Sequence, residues 1–149
     1  MDDDLHDQVA ARLRRAGQRY TTARRRLVDH LAGARRPLTT NDIVRSDPSA
    51  VLSSVYRTLA VLTQVGAVRR VLGADDAARF ELAEELTEHH HHLVCTECGD
   101  VADFTLSPRA EAAVSRALAD AVKSHRFETD AHRLDVLGRC ARCRSGQSD

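Results

Sequence analysis

Two Cys-x-x-Cys pairs, Cys95/Cys98 and Cys140/Cys143, stand 41 residues apart in a chain of 149 residues that holds no other cysteine. Each pair can present two thiolates from one tight turn, and two such turns supply the tetrahedral all-sulfur shell that zinc prefers. Gly99, directly after the first pair, suits such a turn. Incidental buried cysteines, or a thioredoxin-like redox pair, would not require two matched pairs with none to spare. The start Met1-Asp2-Asp3-Asp4 lacks the basic-then-apolar pattern of a signal peptide, and no apolar run is long enough to span a bilayer. The chain is therefore expected in the cytoplasm with no membrane partner, where thiols stay reduced and bind metal rather than each other. Zinc held this way contributes on the order of 10 kcal/mol to folding. With four protein ligands it leaves no open position for catalysis, so the site is expected to be structural.

The formal net charge is zero but unevenly spread. Residues 8–72 carry 13 Lys+Arg against 3 Asp+Glu, a net +10, whereas residues 73–149 carry 9 against 15, a net −6. A basic first half points to a polyanionic partner. With aromatics at only 3%, the core must come mainly from Leu, Val and Ala.

Apolar residues Leu5, Val9 and Leu13 mark one face of a helix ending near Gly17. Ala23, Leu27 and Leu31 mark a second, capped by Thr21 or Thr22 and ending at Gly33. Thr39 to Val44 reads as a short third helix. Val55, Leu59 and Leu62 form the face of a fourth, capped by Ser53 or Ser54 and closed by Gly66. Val68 to Leu72 and Arg79 to Leu82, joined through Gly73-Ala74-Asp75-Asp76, read as a hairpin. Helices followed by a two-stranded wing predict a winged helix-turn-helix over residues 1–83. An acidic hinge follows at 84–88. Residues 89–149 then predict a small α/β domain: strands at His90 to Cys95 and Val101 to Phe104, a helix capped by Ser107 with Val114, Leu118 and Val122 as its buried stripe, and a strand at Arg133 to Leu137. The fold class is α+β.

Four consecutive histidines, His89 to His92, precede Cys95. On a strand, His90 and His92 face one side and His89 and His91 the other, so one tract can feed two metal sites. Glu81 and Asp103 are candidate partners for the first pair, Glu111 and His132 for the second. Imidazole with carboxylate suits zinc, ferrous iron or manganese. In the basic half, Arg57 can read a guanine edge and Tyr56 contact a thymine methyl, while Arg19 and Arg24 are candidates for phosphate or minor-groove contacts. His-Glu-x-x-His, a phosphate-cradling glycine loop and a nucleophile elbow are all missing from the sequence, so it is not expected to be an enzyme.

From Arg12 to Arg144 the chain resembles the ferric uptake regulator superfamily of iron-, zinc-, manganese- and peroxide-sensing repressors. The resemblance rests on Ser54-Val55-Tyr56-Arg57-Thr58-Leu59, the string from His89 through Cys95 to Gly99, and His132 placed eight residues before Cys140. It implies a homodimer with winged-helix heads and a C-terminal dimerisation domain, in which metal at the hinge fixes the heads at the spacing of a palindromic operator. By position, Cys95, Cys98, Cys140 and Cys143 match the structural Zn2+ ligands. Glu81, His90, His92 and Asp103 match the regulatory site for a second divalent ion, Fe2+, Zn2+ or Mn2+. His89, His91, Glu111 and His132 look like an additional site, and Arg19, Tyr56 and Arg57 match DNA contacts. The chain departs from the family at Pro37, where many members place a histidine, which leaves the link to the DNA-binding half to Glu81 or another residue. Longer spacings make Glu84, Glu85 and Glu88 alternatives to Glu81, and Ser115 an alternative to Glu111. Two other readings are a constitutive zinc-stabilised DNA-binding protein and a peroxide sensor of the same superfamily.

Overall fold

A computed structural model describes residues 2–146. The first half runs α1 (Asp2–Arg15), α2 (Thr22–Gly33), β1 (Leu38–Thr39), α3 (Thr40–Ser46), α4 (Leu52–Gln64), β2 (Val68–Leu72) and β3 (Ala78–Leu82). The apolar stripes converge as their spacing requires: Val9, Leu13, Leu27, Val28, Leu31, Ile43, Val55, Leu59 and Leu62 pack into one core with Val68 and Leu82 of the hairpin. Each fully buried Leu or Ile here stabilises by roughly 1.5–3 kcal/mol. Gly66 ends α4 in the left-handed region (φ 70°), which lets Ala67 N–H reach Leu62 O at 2.9 Å.

Three local expectations change. A two-residue strand, β1, joins the hairpin by pairing Leu38 with Phe80, giving a three-stranded antiparallel sheet in the order β1-β3-β2. Helix α4 starts at Leu52, after Val51, with no side-chain cap, so Ser53 and Ser54 lie inside its first turn. Helix α3 begins at Thr40 rather than Thr39, because Thr39 is its N-cap and forms a reciprocal capping box with Asp42.

Burial pushes the Asp42 carboxyl up, but hydrogen bonds from Thr39 and Arg36 outweigh it and hold the group well below its ordinary value of 3.8. Its contribution to stability is therefore fully present above that value and lost as pH falls below it, through the lower value of the folded state. Thr39→Ala is expected to cost about 1 kcal/mol in chemical denaturation. An unchanged midpoint would remove the box from the account.

The second half runs β4 (His91–Cys95), β5 (Val101–Phe104), α5 (Pro108–Val122), β6 (Asp135–Gly138) and α6 (Ala141–Arg144). Its sheet has the order β5-β4-β6, with β4 antiparallel to β5 and parallel to β6. Strand β4 starts one residue later than expected and β6 two residues later. The expected buried stripe of α5 is not buried: Leu118 is exposed and Val114 and Val122 are only half-buried, because among the described residues no element covers that face. Leu93, Val136 and Leu137 are exposed as well.

The two halves meet at the wing. Val71 of β2 packs with Val94 and Val101 in a separate buried cluster. At the hairpin tip, a Cβ on Gly73 would lie 2.8 Å from Gly99 O, and one on Gly99 would run into the Asp75 side chain, which is paired with the buried Arg79. The turn between the first cysteines is thus pressed against the wing, and β3 is carried up to the histidine tract.

Candidate metal centres

Cys95 closes β4, and the turn after it places Cys98, with Gly99 (φ 70°) donating its N–H to Cys95 O at 3.0 Å. Cys140 is the N-cap of α6 and Cys143 lies in its single turn. The sulfurs of Cys95 and Cys143 are 3.8 Å apart, as are those of Cys98 and Cys140, and all four lie within 4.8 Å of one another. Zinc–sulfur bonds of about 2.3 Å place tetrahedral sulfurs ~3.8 Å apart, whereas a disulfide needs about 2.05 Å. The donor set fits one zinc ion. Amide N–H groups of Cys98 and Cys140 lower the Cys95 thiol to about 6, favouring the thiolate a metal needs, while burial pushes Cys143 up.

The histidine tract divides as alternation predicts, although His89 and His90 precede the strand. On one side, Glu81 Oε2 lies 3.0 Å from His92 Nε2 and 3.5 Å from His90 Nε2, and His92 Nε2 lies 3.8 Å from Asp103 Oδ1. Asp103 faces His92 across the β4/β5 ladder, and its Oδ1 is buried without a hydrogen-bond partner. Burial raises the Asp103 carboxyl. It also pushes Glu81 up, but the hydrogen bond and charge of His92 and the charge of Arg69 outweigh it and hold Glu81 low. Burial lowers His92, yet the Glu81 and Asp135 carboxylates outweigh it and raise the imidazole. These four residues fit a divalent ion: His92 and Asp103 from the sheet of the second half, His90 from just before β4, and Glu81 from the wing. Pro37 is fully buried and brings no donor, so within this cluster the first half is represented by Glu81.

On the other side, Glu111 in the first turn of α5 gathers three rings: His91 Nε2 at 2.9 Å, His132 Nε2 at 3.0 Å and His89 Nε2 at 3.2 Å from its oxygens. His89 Nε2, His132 Nε2 and Glu111 Oε1 are all buried and make no aligned hydrogen bond. Buried polar atoms normally find partners. Convergent orphaned donors of this kind fit a metal ion. Ser115 stands one turn further along α5 and is exposed.

Sequence reasoning missed two neighbours and one contact. Asp135 pairs in register with His92 and lies 3.3 Å from its Nδ1, orienting the ring. Arg69 is the cross-strand partner of Glu81 and donates to it through Nε. Glu84 accepts from His89 Nδ1. Only the Arg69/Glu81 pairing had a signal, the hairpin register itself.

On the basic half, Tyr56 is exposed, with its hydroxyl 3.4 Å from that of Thr40, and the exposed Arg57 donates from Nε to Ser53 O at 3.3 Å. Arg19 is exposed. Arg24 is half-buried and donates to Arg19 O and to Gln18 Oε1, bracing the α1–α2 loop.

The family model of the ferric uptake regulator family matches residues 15–137. The chain is 27% identical over 148 residues to the peroxide-responsive repressor PerR of Staphylococcus epidermidis, covering 97% of this chain and 93% of that protein. Among solved structures, it matches the manganese-bearing ferric uptake regulator of Pseudomonas aeruginosa at 26% identity and a TM-score of 0.67, covering 88% of this chain and 96% of that one. The ferric uptake regulator of Helicobacter pylori, with three functional metal binding sites, matches in fold at 21% identity and a TM-score of 0.76, covering 99% and 97%.

Proposed function

Since the chain belongs to the ferric uptake regulator family, we propose that it is a metal-responsive transcriptional repressor. Residues 1–83 bind DNA, 84–88 form the hinge, and 89–149 bind metal and dimerise. The observation that carries this reading is the sharing of one four-residue donor set between wing and sensor: Glu81 stands on β3, and His90, His92 and Asp103 on the other side of the hinge. A divalent cation held there supplies positive charge and coordination bonds across the hinge. Glu81 transmits the constraint to the hairpin, the hairpin to α4, and α4 carries Tyr56 and Arg57 to the bases. Cys95, Cys98, Cys140 and Cys143 hold structural Zn2+, and the regulatory ion is Fe2+, Mn2+ or Zn2+, with the carboxylate–imidazole set leaning slightly to the first two. His89, His91, Glu111 and His132 form an additional site.

The exposed Leu93, Leu118, Val136 and Leu137 support burial against a second copy, giving a homodimer that reads a palindromic operator. A family of regulators without a catalytic motif in this chain supports a non-enzymatic role. Among the described residues no helix is long and apolar enough to cross a membrane, and a repressor of this kind works in the cytoplasm.

Selection of genomic DNA fragments with the zinc-retaining protein tests this reading. Fragments recovered with Mn2+ should be depleted when a weak chelator replaces it. Equal recovery under both conditions would favour the constitutive DNA-binding reading.

Arg57→Ala should weaken operator binding by roughly 1–3 kcal/mol if the guanidinium reads a base. Titration against operator and random DNA checks this, and an equal loss on both would assign Arg57 to phosphate alone. Arg24, tied to the α1–α2 loop, acts mainly by holding Arg19 in place. A peroxide-responsive role is a second reading, favoured by the relatedness to PerR of Staphylococcus epidermidis. Mass spectrometry after ferrous loading and peroxide tests it: oxygen added at His90 or His92 supports it, and unmodified histidine peptides contradict it.

A further inference from the structure

We propose that Arg69 is a resident cation of the hinge site, which an incoming divalent ion must displace from Glu81 toward Glu84, so that this arginine sets the metal concentration at which the switch responds. The inference rests on the reading of Glu81, His90, His92 and Asp103 as a metal site.

Three observations carry it. Glu81 is buried, and a buried carboxylate needs a counter-charge. Arg69, directly opposite on β2, provides it by donating Nε to Oε1 while Oε2 faces His92 and His90. The same guanidinium already reaches a second acid: its Nη1 lies 3.5 Å from Glu84 Oε2. Glu84 in turn accepts from His89 Nδ1, a member of the other donor cluster.

The physical consequence follows from the charges. Arginine does not shed its proton, so the guanidinium competes with a divalent ion for Glu81 at any physiological pH. Two cations within a few ångströms of one carboxylate repel each other strongly in a half-buried site. Metal binding is then an exchange of partners: the ion takes Glu81, and the guanidinium moves fully onto Glu84. Glu84 lowers the cost of that exchange by receiving the displaced charge. It is a positioning residue rather than a ligand, and by holding His89 Nδ1 it also leaves the Nε2 of that ring to the second cluster. The acidic segment between Glu81 and the histidines thus has a function separate from ligation.

The test is an Mn2+ titration of the full zinc-retaining chain against a chromophoric chelator, in a His132→Ala background that disables the second cluster. Arg69→Gln should tighten Mn2+ binding about tenfold. Arg70→Gln, which removes the same charge from the exposed neighbour on the strand, should leave affinity within about twofold. Glu84→Gln should weaken binding about threefold, because the displaced guanidinium then has no acceptor. General destabilisation would lower affinity in both the Arg69 and Glu84 variants, so the opposite signs are the diagnostic result. Unchanged or weaker binding by Arg69→Gln, or equal tightening by Arg70→Gln, would overturn the proposal while leaving the metal site intact. If Arg69→Gln does not fold by circular dichroism, the sign of the Glu84→Gln effect decides, with unchanged or tighter binding counting against the exchange. Failure of the parent protein to bind any exchangeable Mn2+ would instead remove the metal-site reading itself.

Discussion

Replacing Cys140 with serine is expected to melt residues 89–149 and abolish dimerisation while the helical half stays folded. The asymmetry comes from where apolar surface is buried. Among the described residues the main core gathers 13 buried residues, all at or before Leu82, whereas the cluster reaching the second sheet contains only Val71, Val94 and Val101. Three valines at roughly 2 kcal/mol each cannot order some sixty residues of chain. A four-sulfur zinc site contributes on the order of 10 kcal/mol, more than that cluster as a whole. The sulfurs of Cys140 and Cys98 are 3.8 Å apart on opposite turns, so removing one separates α6 from β4. Limited proteolysis and gel filtration should show a protected N-terminal fragment and loss of the dimer. A Cys140→Ser protein that stays dimeric and protected throughout would contradict the structural assignment.

His92→Ala has the second largest expected effect, and it falls on regulation rather than folding. His92 Nε2 faces Glu81 and Asp103 while Asp135 fixes its other nitrogen, so the ring is the centre of the hinge cluster. Its loss as a ligand of the proposed hinge ion should weaken metal binding on the order of a hundredfold or more, at or beyond the upper end of what neighbours of a ligand usually contribute. The metal-induced gain in operator affinity should vanish while the metal-free affinity stays at the parent value. A variant that keeps the gain would move the switch elsewhere, and one that loses metal-free binding as well would make His92 structural.

The parts of this fold set by local periodicity were legible in the sequence, and those set by distant partners were not. Val9, Leu13, Leu27, Leu31, Val55, Leu59 and Leu62 occupy the core as their spacing predicts. The alternation of His89 to His92 divides one tract between two clusters, which gather Glu81 and Glu111 rather than Glu84, Glu85 or Glu88. Position alone located these donors because strand geometry has a fixed period of two. By contrast, β1 exists only because β3 offers it an edge, and Leu118 looked like core because helical periodicity marks an apolar face without saying what covers it.

His6 shows the same limit. A lone histidine on α1, it is buried against Tyr20 Oη at 2.6 Å and Asp29 Oδ1 at 2.9 Å, a polar brace between α1 and α2 with no local signature. Asp135 and Arg69 were missed, and the contact of Glu84 with His89 was not foreseen, because these roles depend on tertiary register or on the path of the hinge. The Gly73/Gly99 approach between wing and cysteine turn was equally invisible, since it joins segments 26 residues apart whose glycines each had a local explanation.

The central claim is that a divalent ion at Glu81, His90, His92 and Asp103 changes how the winged helix meets DNA. The most direct test is the equilibrium dissociation constant for a selected operator, measured with the four-cysteine zinc retained, in Mn2+ and again after chelation of exchangeable metal. The account predicts binding at least about tenfold tighter with Mn2+, a coupling free energy of roughly 1.4 kcal/mol or more. The same dissociation constant under both conditions would contradict it.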